Sequence, residues 1–401
     1  FLRWFSAVGR AFRHEIRTIF HDPGVILFFF VLPLAYPVVY TLIYNPEVVR
    51  ELPVAVVDNS RTPESRLLVR EAAASPAIAI YDYCSNMAEA KELMAQGKVF
   101  GILEIPSDYA RNIGRGEQAN VSFFADMSLL LRYRTFVGAL TDVQLKVIGD
   151  ITATRIAEMG AQSLAGDSRM PVNSESNFLG DSEQGFASFV IPGIVILILQ
   201  QSMLLGICLI GGTAAERRRA NGGADPSVPA CMPSSAIAWG RTLAYVVCYI
   251  PTTVYITRFI PEIFNLPHYG NPADYLLFLF PLLLASAFLG QTLNLFMKER
   301  ESAFVLIVFT SVCFLFLSGL TWPRYAMNGF WTTVGNFIPA TWGVEGFIRI
   351  NSNAASLAES ARPYSALWIL SAIYMVLAIL VVKYHNIKNK VTSDGRNQIA
   401  C

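Results

Sequence analysis

Five stretches of this chain approach the length of a bilayer core without one charged residue: Val25–Tyr44, Phe189–Gly212, Tyr275–Phe296, Ala303–Leu320 and Tyr364–Val382. A hydrocarbon core of roughly 30 Å takes about 20 apolar residues as helix. Backbone groups in lipid must be satisfied within the segment itself, so each run is expected to be a transmembrane helix. A sixth run, Leu243–Thr257, is bracketed by Arg241 and Arg258. If both arginines extend their stems toward opposite interfaces, a helix over about 237–260 completes a sixth span. Only 15% of the chain is charged, against about 25% in soluble domains.

Topology follows from Lys and Arg in the short flanks. With the N-terminus inside, the inner segments hold fourteen of them, including Arg3, Arg10, Arg13, Arg17, Arg217, Arg218 and Arg219, whereas the short outer loops hold four. Both termini are therefore expected in the cytoplasm, with the chain crossing the membrane several times. No small-residue cleavage site follows the first run, so it is expected to be an anchor rather than a removed signal. Within residues 1–22, Trp4, Phe5, Val8, Phe12, Ile16 and Ile19 recur at helical spacing between arginines, which predicts an amphipathic helix on the inner surface.

Residues 45–185 are the one long stretch of soluble composition, expected outside. Strands are predicted at Leu52–Val57, Ala77–Tyr81, Val99–Ile105 and Asn120–Phe124. Helices are predicted at Pro63–Ala74, Met87–Gln96 and Ser107–Ile113, with a longer one over about 131–159. Such alternation predicts an inserted α/β domain, and residues 160–185, rich in Ser, Gly, Asn and Asp, read as a loop. No His occurs between positions 45 and 185, so no hydrolase constellation is expected there. The six cysteines are scattered without a CxxC or Cys/His cluster. They read as small apolar residues rather than a metal site or disulfide framework.

No G-x-x-x-x-G-K-[ST] sequence is present to hold ATP phosphates. No Asp or Glu lies in the six runs, which argues against a proton relay. Gln200 and Gln201 fall mid-span, where amides need a partner helix or a pathway. Between the fifth and sixth runs, residues 322–360 are too apolar for a loop, and two short re-entrant or interfacial helices broken at Pro339 are expected. Glu345 and Arg349, four apart with the acid first, are placed to pair.

The second half carries a more specific signal. It reads Leu317-Ser318-Gly319-Leu320-Thr321-Trp322-Pro323, then Met327, Ile338-Pro339-Ala340-Thr341, Glu345-Gly346 and Arg349. This resembles the ABC-2 type permeases, the membrane subunits of ABC exporters, whose pattern is LSG-x-x-x-P, a Met, P-x-T and E-G-x-x-R. The family's Pro after that Met is Asn328 here. His21-Asp22-Pro23 is similar to the family's Arg-Asp-Pro before the first span. Val54-Ala55-Val56-Val57-Asp58-Asn59-Ser60 is similar to its opening extracytoplasmic strand. Ala215-Glu216-Arg217-Arg218-Arg219-Ala220-Asn221-Gly222 is similar to its coupling element after the second span, with Arg218 where an acid is common and Ala220 where Gly is.

The resemblance implies an α-helical membrane protein of six transmembrane helices with an inserted α/β extracytoplasmic domain. Its parts would be an inner-surface helix (1–22), a first span (23–44), the inserted domain (45–185) and the remaining spans (186–401), with a coupling loop at 211–240 and an outer re-entrant segment at 322–360. It implies no enzyme activity and no cofactor in this chain, ATP and Mg being bound by separate ATP-binding subunits. Glu216, Arg217, Arg218, Arg219 and Gly222 would contact those subunits. Gln200, Gln201, Pro323, Met327, Pro339, Thr341, Glu345 and Arg349 would line the route or its outer gate. Expected partners are the ATPases, a second permease chain, membrane lipid and a periplasmic adaptor, with no nucleic acid or metal. A non-transporting envelope receptor or scaffold is the alternative reading.

Overall fold

Among the described residues, six helices are long and apolar enough to cross a membrane. The structure, a computed structural model, describes residues 2–44, 49–158, 185–221 and 232–399. The chain divides into two units, residues 1–47 with 178–401, and residues 48–177.

In the first unit, helix α1 (Leu2–His21) precedes the first span, α2 (Pro23–Ile43). The other spans are α7 (Phe186–Ala220), α8 (Ser234–Ile263), α9 (Pro272–Leu293), α10 (Arg300–Leu317) and the first part of α13 (Ala361–Ile399). Both α2 and α8 contain a π-helical turn, at Leu27–Val31 and Tyr255–Phe259. Each turn ends two residues before a proline, Pro33 and Pro261. A proline lacks the N–H for its helical bond and its ring meets the carbonyl four residues back; the wider turn relieves both problems. Helix α7 is apolar on every side and is the most enclosed span, whereas α10 is the least. Its Val305, Val308, Phe309, Val312 and Phe316 are all exposed, as a lipid-facing or partner-facing surface would be. Cys313 on this helix is exposed too, unlike the buried Cys208 and Cys248, so it is not the buried apolar residue the sequence suggested.

The segment between α10 and α13 holds a 3-10 turn (Arg324–Ala326) and two helices, α11 (Gly329–Asn336) and α12 (Pro339–Asn353). Pro339 is the first residue of α12, where its missing N–H costs no helical bond. Helix α12 packs against α7, α9 and α13. Gly346 allows this: a Cβ there would lie 2.1 Å from the Phe278 ring of α9.

Helix α1 packs along α8. The face it buries is Ala7, Val8, Ala11, Glu15 and Ile19, while Phe5 and Phe20 are exposed. The expected stripe of large residues is therefore rotated toward the small ones. Gly240 explains the rotation, since a Cβ there would sit 2.6 Å from the Cβ of Ala11 and 2.7 Å from the carbonyl oxygen of Val8. Only small residues admit so close an approach.

The second unit is a four-stranded sheet in the order β2-β1-β3-β4. Strands β1 (Leu52–Asp58), β2 (Ile78–Tyr83) and β3 (Gly101–Ile105) are parallel, and β4 (Ser122–Ala125) is antiparallel to β3. The connecting helices are α3 (Pro63–Ala74), α4 (Met87–Ala95) and α5 (Tyr109–Arg115), followed by α6 (Leu130–Glu158). Alternation along the strands divides the core in two. Leu52, Val54, Val56, Leu103 and Ile105 meet α3 and the stripe Phe136, Leu140, Val143 and Val147 of α6. Ala55, Val57 and Ile102 pack with Val99 and Ala90 on the other face. Most of residues 160–185, read as a loop from the sequence, lie outside the described residues.

Candidate functional site

Helix α7 does not end with its apolar run. It continues to Ala220, so a helix of 35 residues is about 52 Å long, well beyond a hydrocarbon core of roughly 30 Å. The continuation carries Thr213, Glu216, Arg217, Arg218 and Arg219. The Arg300 backbone N–H at the start of α10 donates to Glu216 Oε1 at 2.7 Å, and Arg219 Nη1 lies 2.7 Å from Glu299 Oε1. The Arg300 side chain reaches the start of α2. Its Nη2 and Nη1 donate to Asp22 Oδ1 at 2.6 Å and Oδ2 at 2.7 Å. Asp22 also caps α2, accepting from the N–H groups of Gly24 (3.0 Å) and Val25 (3.2 Å). Burial pushes the Asp22 carboxyl up, but the Arg300 guanidinium and the two backbone donors outweigh it, and the group is held below the ordinary carboxylate range. One end of each of three spans is thus joined by a single network, bordering an open cavity of about 780 Å³ lined by Arg17, His21, Asp22, Arg217 and Arg300.

At the other end of α10 a second network forms around Glu345. Its Oε2 lies 2.7 Å from Arg324 Nη1 and its Oε1 2.7 Å from Arg349 Nη2. The Arg324 guanidinium also stands over the Trp342 ring, 4.5 Å from the centroid, and donates to Asn336 Oδ1. Trp342 Nε1 donates to the Asn336 carbonyl at 3.0 Å. These residues border a cavity of about 550 Å³. Pro323 is exposed and introduces the 3-10 turn; Met327 ends it, half-buried. Asn328, in place of the family's proline, caps α11 by accepting from the Phe330 N–H at 3.2 Å.

Deeper in the helices, Gln200 Oε1 accepts from the backbone N–H of Ala340 at 2.6 Å. A helix begins with donors that have no intrahelical partner, and an amide of α7 satisfies one of those of α12. Gln200 Nε2, both polar atoms of the Gln201 side chain and the hydroxyl of buried Thr341 are buried without a hydrogen-bond partner among the described residues.

The profile of the ABC-2 family transporter proteins matches residues 23–380. The chain belongs to this family. Its members are the membrane components of ABC transporters, and no curated protein matches the chain.

The ABC-2 permease brings together residues that the sequence had kept apart. Glu216 and Arg219 both bond within the chain, to the start of α10. They attach at the segment Lys298–Glu301. Gly222 lies outside the described residues. Glu345 and Arg349 pair as their spacing predicts, with Arg324 as a second cation that spacing does not reveal. Pro339 starts α12, next to the Ala340 N–H that Gln200 holds.

Sequence reasoning also missed a buried acid in this permease. Glu15 of α1 has only 2% of its surface exposed. It accepts a hydrogen bond from the Tyr245 hydroxyl and lies 3.3 Å from Arg241 Nε of α8. Arg241 therefore points to a carboxylate rather than extending to an interface. Arg258, its counterpart, pairs with Glu262 at 2.5 Å. The signal available was a lone acid at four-residue spacing among Ala7, Ala11 and Ile19.

Proposed function

We propose that this permease is the membrane half of an ATP-driven exporter, moving a hydrophobic or amphipathic compound such as a drug or a lipid out of the cytoplasm or the inner membrane. Two copies, identical or closely related, would enclose the route, and two separate ATP-binding subunits would drive it. Residues 48–177 would lie outside the cell membrane, where they could receive cargo or meet an adaptor, and both termini would lie in the cytoplasm.

The observation that carries this reading is the joined end of α7, α10 and α2. A motor that grips the α7 continuation at Arg217 and Arg218 pulls on the starts of two other spans through Glu216, Arg219 and the Asp22–Arg300 pair. Force applied to one short segment is thereby delivered to three helices. At the other end, α7 bonds α12 through Gln200, so a shift of α7 is felt by the Glu345 network. The interior between the spans is dominated by apolar side chains, which suits apolar cargo.

The test is pull-down of the intact chain followed by reconstitution. Capture of an ATPase of roughly 25–35 kDa (an estimate from about 100–200 residues per domain), with ATP turnover raised by a candidate lipid or drug, is expected. Arg217→Glu with Arg218→Glu should reduce capture by about tenfold or more, each reversed charge placing like beside like across a complementary contact. Unchanged capture and turnover would sink the coupling role. A receptor or scaffold would show no ATPase and no cargo-stimulated turnover.

A further inference from the structure

We propose that the cavity bordered by α1, the start of α2 and the continuation of α7 is a binding site for the phosphate group of an anionic phospholipid. Its volume is about 780 Å³, within the range of roughly 300–1,000 Å³ that takes whole organic molecules. Arg17, Arg217 and Arg300 line it against a single carboxylate, Asp22, an excess of two positive charges. Guanidinium forks match phosphate oxygens two at a time, so the lining selects that chemistry over a cation. The exposed face of α1 extends the same field. Arg3, Arg10, Arg13 and Arg17 are all exposed, whereas Glu15, the one acid of this helix, is turned inward to Arg241. Basic pockets between membrane helices, and basic faces of surface helices, attract anionic headgroups in this way.

The source of the phosphate follows from what adjoins the cavity. Gly24 is part of its lining. Leu27 and Val31, one and two turns further along α2, are exposed. Phe20 is exposed too, and its ring stacks on Phe30 with centroids 5.5 Å apart. A cationic cavity followed by an exposed apolar helix face suits a headgroup followed by acyl chains. A nucleotide is matched less well: no Phe, Tyr or Trp among the lining positions offers a face for a base, and the chain has no Walker loop. The site rests on membership of a membrane-spanning family, and not on an ATPase, a cargo or a direction of transport. Binding can therefore be measured on this chain alone.

Phosphatidylglycerol is the probe, with phosphatidylcholine of the same acyl chains as the reference. The full chain, in a neutral detergent, would be titrated with each lipid and its lipid-bound forms counted by native mass spectrometry. The first phosphatidylglycerol is expected to bind about tenfold or more tightly than the first phosphatidylcholine. Arg17→Gln should weaken phosphatidylglycerol by about fivefold, the worth of one arginine at an anionic headgroup, and leave phosphatidylcholine unchanged. Arg17→Lys keeps the charge and should retain most of the affinity. Arg70→Gln removes the same charge from an exposed position of α3 and should have no effect. Glycerophosphoglycerol, the same headgroup without acyl chains, should not displace the lipid at equal concentration. Equal affinity of the parent chain for the two lipids overturns the proposal whatever the variants do. So does a loss at Arg70→Gln as large as at Arg17→Gln, which would reflect net charge and no site. Displacement by glycerophosphoglycerol at parity would make the ligand a free phosphate ester and overturn the assignment to a lipid.

Discussion

Asp22 and Arg300 form a two-pronged ion pair, with oxygen–nitrogen distances of 2.6 and 2.7 Å, that joins the start of the first span to the start of the fifth across 278 positions of sequence. The two parallel bonds fix both angle and distance. The Arg300 side chain is 35% exposed and Asp22 16%, so solvent screens part of the attraction, and Asp22→Asn should cost about 1 kcal/mol. The sign of the pH dependence follows from the depressed carboxyl. Its stabilisation is complete above the ordinary value of 3.8 and is lost as pH falls through the lower folded value. The gap in melting temperature between the parent chain and Asp22→Asn should therefore be constant from pH 7 to pH 5 and close only below that ordinary value. A gap that closes near neutral pH would contradict the pairing.

Glu15 tests a buried charge. Removing one partner of a buried ion pair strands the other, at about 3–5 kcal/mol when both are enclosed. Arg241 is 24% exposed, so its charge can rehydrate in part and the lower figure applies to Glu15→Ala. Glu15→Ala with Arg241→Ala should cost less than the sum of the single changes, because neither charge is then left alone. Thermal unfolding of the four proteins in one detergent measures the difference; strict additivity would show that the pair does not interact.

Gln200→Leu should leave the buried Ala340 N–H without an acceptor. That penalty is about 1–3 kcal/mol, and it falls at the start of α12, whose Gly346 is packed against Phe278. The expected result is lower thermal stability together with faster hydrogen exchange in peptides covering residues 339–345 than in the rest of the helix. Exchange unchanged in that turn would mean that Gln200 does not cap it.

The spans were legible because lipid imposes a length and excludes charge, and both show directly in runs such as Phe189–Gly212. The strands around Leu52–Asp58 and Gly101–Ile105 were legible because alternation and turn residues are local. Contacts that join distant positions were not. Spacing pairs Glu345 with Arg349 but cannot bring in Arg324, which lies 21 residues back and arrives through a turn. The face of α1 was misread because large side chains were weighted over small ones, whereas the partner surface at Gly240 rewards Ala7 and Ala11. Arg241 was explained by an interface because Glu15, its partner, is more than two hundred residues away. Asp22, read from the sequence only within His21-Asp22-Pro23 before the first span, gave no sign that Arg300 would find it.

Arg324 and Arg349 contact the same carboxylate and should not be equivalent. Arg349 is 45% exposed and sits four residues from Glu345 on one helix, an arrangement worth about 0.3–0.5 kcal/mol. Arg324 is 17% exposed, stands over Trp342 and also donates to Asn336. Its loss removes a shielded ion pair, a cation–π contact of about 1–2 kcal/mol and the bond that ties the turn before α11 to that helix's end. Arg349→Ala should therefore change the melting temperature little, whereas Arg324→Ala should cost about 2–3 kcal/mol. Arg324→Lys should recover only part of that loss, since an ammonium cannot stack flat on the indole and reach two acceptors at once. Equal losses at the two arginines would place the weight of this network on Glu345 alone.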